Sequence, residues 1–596
     1  MSADQSSLTA PVVAVSAPSR VRQPGLALAG ALVLGAIWVV TQLWGLEKEP
    51  FHTHGEAREA LVVQQMTHGG GWILPKRDGP SGIEVPSKPP LFHWMGALIA
   101  LRHGCTDEWS IRLPSAVLSL AGALTIYAAG VALWGSPAGL IGATATLTSF
   151  EWQRAATGAR VDMTLTFGLL VAFLAYCFFL RTKRSVWLLP FYAGMAFGSL
   201  AKGPVGVALP ALQVAVMCAL QRDLSALRRM RLVRGLIAVA AIVGAWYVLA
   251  LLTDGVTFFL KQVLNENIYR FAEAAEYEGG HRHGAAYLLG TLAAGWLPWT
   301  LFFPGVIVAL WRQRRELNAS DPRVYLLSWV VIVFAFYAIA VSKRSVYLLG
   351  LYPALGMLTG WWWSTRLQDS SESHASDPAS EPRWLRAVLQ PIVAGALAVV
   401  VLLLVMVLLD LARLDVVKVI AARLKLDPAV QLNVGWVTAG LHRQAALSIA
   451  LLGTGAAGLW WLARSLGKAR WTNAFAATLL AYAAIVALMR QIVMPEIAAR
   501  ETYRDIMPAI REVIGPQAGL FFYRAFEYGA VFYRGDPIAV YSGDLSVDAP
   551  RYLLMSRDEW DRASAVQRER FERVTLPAVD EDANPKRLIL VKRRDG

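Results

Sequence analysis

Charge is scarce in this sequence. Asp, Glu, Lys and Arg make up only 17% of the residues against 56% hydrophobic ones, and the mean hydropathy is +0.43. A soluble protein of 596 residues needs far more charge on its surface, so a soluble globular chain is excluded. Cysteine is scarcer still. Cys105, Cys177 and Cys218 have no metal-ligand spacing, and the last two fall inside apolar runs. Neither a disulfide framework nor a zinc site is implied. A nucleotide-binding glycine fingerprint is missing from the C-terminal part, and no convincing internal repeat is present, which weighs against a transporter.

What the chain has in abundance is apolar runs of about 15 to 22 residues, the length needed to cross a hydrocarbon core roughly 30 Å thick. The fold class expected is a polytopic α-helical membrane protein. The net charge of +14 does not point to nucleic acid, because the basic residues sit in short clusters between the apolar runs. That pattern reads as topology and contact with lipid headgroups.

A cytoplasmic tail is expected over 1–25, and the spans over 26–46, 114–134, 138–150, 163–180, 186–201, 205–220, 236–252, 285–311, 324–341, 346–363, 388–409, 445–463 and 474–489. The apolar stretch 89–101 is short and contains His93, and reads as an interfacial helix. With thirteen spans counted in this way, the basic clusters 181–184, 228–234, 312–315 and 463–470 all face the cytoplasm. Segment 366–384, Ser-rich and acidic, reads as a flexible cytoplasmic linker between a front region, 26–365, and rear spans, 385–494. From 495 to 596 the composition becomes that of a small outer α/β domain, with a helix in ETYRDIMPAIREVIG and strands in GLFFY, PIAVYSG and RLILVKRR.

Within the outer loop 47–113, segment 51–94 carries Glu56, Arg58, Glu59, Lys76, Arg77, Asp78, Glu84 and Lys88. A polar excursion of that length usually serves a site. On the same face fall RAATGARVD ending in Asp162, Lys202 in AKGPV, Arg270 in NENIYRF, the stretch EYEGGHRH, and SKRSVY with Lys343, Arg344 and Tyr347. Charges converging at a membrane boundary are costly unless paired or wet. The cations Arg58, Lys88, Lys202, Arg270, Lys343 and Arg344 suit a phosphate or diphosphate. Each group also has a plainer reading. Glu56 could be a first-turn acid of a surface helix, Asp162 a helix cap, and Lys343 and Arg344 snorkelling span ends. The pairs His52/His54 and His281/His283 would not face one way off a strand, so no metal is expected.

The ordered series GEAREALVVQQM, GGGWILPKRDG, SKPPLFHW, IRLPSAV, GARVDMTLTF, AKGPV, ENIYRF and SKRSVYLLGLYPAL resembles the bacterial GT-C glycosyltransferases of the aminoarabinose transferase and protein mannosyltransferase type, over roughly 25–365. The resemblance implies an inverting enzyme of the bacterial inner membrane that uses no cofactor. It would move a sugar from a polyprenyl-phosphate donor, usually undecaprenyl phosphate, to a lipid, glycan or protein acceptor on the periplasmic face. Glu56 and Asp162 would orient or deprotonate the acceptor; Arg58, Lys88, Lys202, Arg270, Lys343, Arg344 and Tyr347 would hold the donor phosphate. Two departures stand out: Gly55 replaces the first acid of the usual Asp-Glu pair, and Ser87 replaces the acid that commonly precedes the lysine. A transporter of lipid-linked sugar and an inactive envelope scaffold are the other classes the residues allow.

Overall fold

The computed structural model describes residues 24–262, 264, 283–369, 383–412, 428–547, 549–576 and 587–594. Arg270, most of EYEGGHRH and the centre of the expected linker, 370–382, lie outside the described residues. The chain is a multi-pass α-helical membrane protein with a small C-terminal α/β domain. Eight described helices are long and apolar enough to cross a membrane, or nine if the pair Ala285–Gly295 and Trp299–Arg312, bent by 103°, is one span. These account for eight or nine of the thirteen runs expected. The remaining runs form shorter helices, Ser136–Leu147, Leu188–Lys202 and Val205–Gln221, or the more polar helix Tyr352–Asp369.

The first long helix, α1 (Pro24–Trp38), leads into the outer loop. Far from being unstructured, that loop folds into α2 (His54–Thr67), a hairpin of β1 (Arg77–Gly79) and β2 (Gly82–Glu84), and α3 (Leu91–His103). Thr53 caps α2 by accepting the N–H of Glu56 at 3.3 Å. Gly104, at φ 87°, ends α3 in the left-handed conformation that glycine adopts without cost. A reciprocal cap then starts α4 (Glu108–Trp134): Asp107 accepts the Ser110 N–H at 2.8 Å, and Ser110 accepts the Asp107 N–H at 3.0 Å.

After α5 (Ser136–Leu147) and α6 (Phe150–Ala156), α7 (Asp162–Thr182) and α8 (Leu188–Lys202) pack antiparallel with their backbones nearly touching. A Cβ on Gly168 would lie 2.7 Å from the Gly198 nitrogen and 2.8 Å from the Gly194 carbonyl oxygen. Only glycine fits at that crossing. The consequence is register: the N-terminus of α7 meets the C-terminus of α8.

The C-terminal domain is a five-stranded sheet of order β4-β3-β5-β7-β6, where β3 is Leu520–Tyr523, β4 Ala539–Tyr541, β5 Tyr552–Met555, β6 Phe571–Arg573 and β7 Ile589–Arg593. β3 runs parallel to β4 and β5, and the β5–β7 and β6–β7 pairs are antiparallel. β5 and β6 were not among the expected strands. Helix Tyr528–Arg534 of this domain lies directly on α2. Phe51 stacks edge-on against Phe532 at 5.2 Å, Gln64 donates to the Phe532 carbonyl at 3.1 Å, and Thr502 donates to the Phe51 carbonyl at 3.0 Å. The buried residues of α2, α3 and the domain form one apolar core, so loop and domain occupy the same side of the membrane.

Candidate active site

Glu56 sits in the first turn of α2, and α2 is a covered helix, with Ala60, Val63 and Met66 in the shared core. The surface-helix reading therefore fails. Glu56 is only 5% exposed. Arg112 of α4 grips its carboxylate with two parallel bonds, Nε to Oε1 at 3.0 Å and Nη2 to Oε2 at 3.2 Å. The Ala159 N–H adds a third at 2.9 Å. Burial by itself would raise the pKa of this carboxyl, but the Arg112 guanidinium and the Ala159 N–H hold it down at about 2. A carboxylate so engaged is a poor proton acceptor. Through these contacts it ties α2 to α4 and to the segment just before Asp162. Arg112 completes the junction by donating to the Leu46 and Glu49 carbonyls at 3.0 and 2.5 Å.

Asp162, at the start of α7, accepts from Lys202 Nζ at 2.5 Å. Lys202 is the last residue of α8 and lies over the Tyr347 ring at 4.7 Å from its centroid. The glycine crossing of α7 and α8 thus delivers the acid and its cation to each other. Around Asp162 the charges of Arg160 and Lys88 also act. From the far side Arg154 of α6, paired with Glu151 at 2.5 Å, donates to the Ser345 hydroxyl at 3.0 Å and draws SKRSVY toward the same end of the bundle. There Lys343 is 7% exposed and donates to the Ala340 carbonyl at 2.6 Å, while Arg344 keeps a buried Nε with no hydrogen-bond partner among the described residues.

The structure thus brings Glu56, Asp162, Lys88, Lys202, Lys343, Arg344 and Tyr347 to one end of the helices. Arg58 is differently placed. It is held by Glu59 at 2.7 Å, and Glu59 also binds the fully buried His93 at 2.8 Å, a pairing that joins α2 to α3. Lys88 is positioned through its backbone, since Gln262 donates to the Pro86 and Lys88 carbonyls at 2.7 and 3.0 Å. Arg112, Arg160, Arg154 and the Glu59–His93 pair were not singled out in the sequence. The one signal for Arg112 was an arginine inside the apolar run IRLPSAV. One further cluster, His103, Cys105 and Asp107, has its ligand-type atoms within 4.8 Å of one another. Asp107 there caps α4 and His103 pairs with it at 3.4 Å, so the cluster is accounted for as a helix start.

Comparison with known proteins bears on the fold. Residues 87–248 match the family described as dolichyl-phosphate-mannose-protein mannosyltransferase. The undecaprenyl phosphate-alpha-4-amino-4-deoxy-L-arabinose arabinosyl transferase 2 of Proteus mirabilis is 26% identical over 339 residues, 55% of this chain and 58% of that protein. The corresponding Yersinia pestis enzyme is 27% identical over 341 residues, again 55% and 58%. The chain's match thus spans little more than half the length of these curated relatives. The crystal structure of ArnT from Cupriavidus metallidurans bound to undecaprenyl phosphate superposes with a TM-score of 0.71 at 18% identity, covering 96% of this chain and 98% of that one. The chain has the GT-C fold of the aminoarabinose transferases. In this GT-C chain the matched stretch includes Lys88, Arg112, Asp162 and Lys202 and leaves out Glu56, Lys343 and Arg344.

Proposed function

We propose that the protein is an inverting glycosyltransferase that takes a sugar from a polyprenyl-phosphate donor and transfers it to a lipid, glycan or protein acceptor on the outer face of the bacterial inner membrane. The observation that carries this reading is the meeting of Lys202, Arg160 and Lys88 with Asp162 at the end of the bundle to which Ser345 and Tyr347 bring the segment of Lys343 and Arg344. The site also has an apolar neighbour. A cleft of about 430 Å³ lined by Trp72, Ile73, Trp94, Leu98, Trp246 and Leu249 opens beside the same outer loop and suits a prenyl chain. Orientation follows from α7: its first residue is Asp162 and its last turn carries Arg181, the start of a basic cluster expected inside.

In the reaction an acceptor oxygen attacks the anomeric carbon as the bond from that carbon to the donor phosphate oxygen breaks, and polyprenyl phosphate leaves with the electron pair. Phosphate is a good leaving group, so no enzyme nucleophile is required. Lys88, Lys343 and Arg344 stabilise the charge that grows on the departing phosphate. Asp162 orients the acceptor and takes its proton where the attacking group is a hydroxyl, and Glu56 is a positioning residue that keeps α2 against the Ala159–Asp162 turn. The test uses the full-length protein in detergent, with undecaprenyl phosphate as the ligand. Lys88→Ala, Lys343→Ala and Arg344→Ala should each bind it roughly ten- to a hundredfold more weakly, the worth of a charge-assisted hydrogen bond. Asp162→Asn should bind it normally and lose transfer. Unchanged binding in all three cation variants would overturn the assignment.

A further inference from the structure

The C-terminal domain holds a cavity apart from the site described above. Its sheet order places β4 on one side of β3 and β5 on the other, so the chain leaves β3 and β5 toward opposite faces. Each face has its own core. Phe522 and Leu554 pack with α2 and with helix Tyr528–Arg534, which follows β3; Tyr523, Leu553 and Met555 pack with Leu545 and with Trp560 of helix Arg557–Arg562, which follows β5. Where parallel strands part in this way a crevice opens at their carboxyl ends, the usual place of a ligand in such a sheet. Here it measures about 430 Å³ and is lined by Tyr523 and Arg524 at the end of β3, Asp544 after β4, and Glu559, Arg562 and Gln567 after β5.

Several groups in the crevice lack a partner. Tyr523 is only 4% exposed, yet its hydroxyl has no hydrogen bond among the described residues, and the charges of Arg524, Glu559 and Asp544 all act on it. Arg524 lies over the same ring, 5.1 Å from its centroid, and its guanidinium makes no hydrogen bond or ion pair among the described residues. Its backbone is strained as well. Of the five described non-glycine residues at positive φ, Lys183, Arg222, Arg231 and Ala469 stand at helix ends, whereas Arg524, at 50°, follows a strand. Strain of this kind collects where a side chain has to be aimed. Asp544 accepts the Ser546 N–H at 2.9 Å and Gln567 Nε2 at 3.2 Å through Oδ1, which leaves Oδ2 without a partner among the described residues.

We propose that this crevice is a second binding site, for an uncharged saccharide, on the side of the domain away from α2. It goes beyond the transferase reading and does not rest on it. Arg524 and Arg562 are balanced by Asp544 and Glu559, so the lining does not select a phosphate. What it offers is donors and acceptors in pairs, and a sugar ring presents adjacent hydroxyls that each give and take a hydrogen bond. A guanidinium spans two such oxygens and a carboxylate two such hydroxyls. The Tyr523 phenol and the Gln567 amide can each donate or accept, and the volume is that of a small-ligand site.

The test uses full-length protein in a detergent whose headgroup carries no sugar, with maltose, lactose and chitobiose as probes and a glucose phosphate as the charged control, read by ligand-observed NMR. At least one neutral disaccharide should bind, and more tightly than the phosphate. Arg524→Gly should melt no lower than wild type, because glycine takes a positive φ without cost, and should weaken that binding at least roughly tenfold. Tyr523→Phe should also weaken it, while undecaprenyl phosphate affinity stays at the wild-type level in both variants. The proposal is overturned if none of the neutral disaccharides binds, if the glucose phosphate binds more tightly, or if Arg524→Gly binds as wild type does. Weakened undecaprenyl phosphate binding in Arg524→Gly would overturn it too, by joining the crevice to the donor site.

Discussion

At the scale of single residues, the Glu56–Arg112 pair has a measurable signature. A charge this deeply buried persists only when its partner stays in place. The Glu56 carboxyl titrates at about 2 in the folded protein against an ordinary 4.5. Its contribution to stability is therefore full above the unfolded value and is lost as pH falls through about 4.5 toward about 2, amounting to about 3 kcal/mol. Glu56→Gln should flatten the acid limb of the stability curve in that window. Arg112→Ala should cost about 3–5 kcal/mol at neutral pH, and less in the Glu56→Gln background, where no charge is stranded. Melting curves in detergent across pH decide it; equal acid sensitivity in wild type and Glu56→Gln would remove the pair as the cause. The acids themselves were legible in the sequence, standing out against apolar surroundings. Their partners were not, because Arg112 lies 56 residues from Glu56 and Lys202 lies 40 residues from Asp162, and only tertiary packing chooses among so many cations.

Among the elements, the α7–α8 crossing does for Asp162 what no local motif could. Gly168 is about 9 Å along α7 from Asp162 at 1.5 Å per residue, yet it sets how closely α8 approaches and so where Lys202 ends. Gly168→Val has to push the Gly198 backbone away. Transfer should fall by about 10², the usual cost of misplacing a reacting group by an ångström, while the protein still inserts in the membrane. Transfer at the wild-type rate in that variant would show that the Asp162–Lys202 contact is not set by the crossing. The helical elements were broadly readable from apolar run length. Three runs fold into helices of only 12, 15 and 17 residues, which run length alone could not separate from full crossings. In the C-terminal domain, β5 was hidden because four apolar-rich residues look alike in a short helix or a strand, and β6 because Phe571–Arg573 has a single buried side chain.

For the whole molecule, the decisive contact is the one between the C-terminal domain and the outer loop. Tyr533 anchors it: its hydroxyl accepts the Phe51 N–H at 2.7 Å and donates to Glu108 Oε1 at 2.6 Å, joining the domain to the entry of α2 and the first turn of α4. Tyr533→Phe leaves both groups short of a partner, so it should cost about 1–3 kcal/mol and lower transfer without touching a charged residue of the site. Limited proteolysis should then cut the outer loop faster. An unchanged cleavage rate and unchanged transfer would mean the domain is not a brace. The sequence showed that loop and domain share a face; that they share a core is a property of pairings such as Thr502 with Phe51, 451 residues apart. That separation has a meaning in time. At about 5 to 20 residues per second on the ribosome, α2 is made roughly 20 to 90 seconds before the helix that covers it. The apolar back of the Glu56 helix must wait through the synthesis and insertion of nearly every later span, and it is covered only when the C-terminal domain folds onto it.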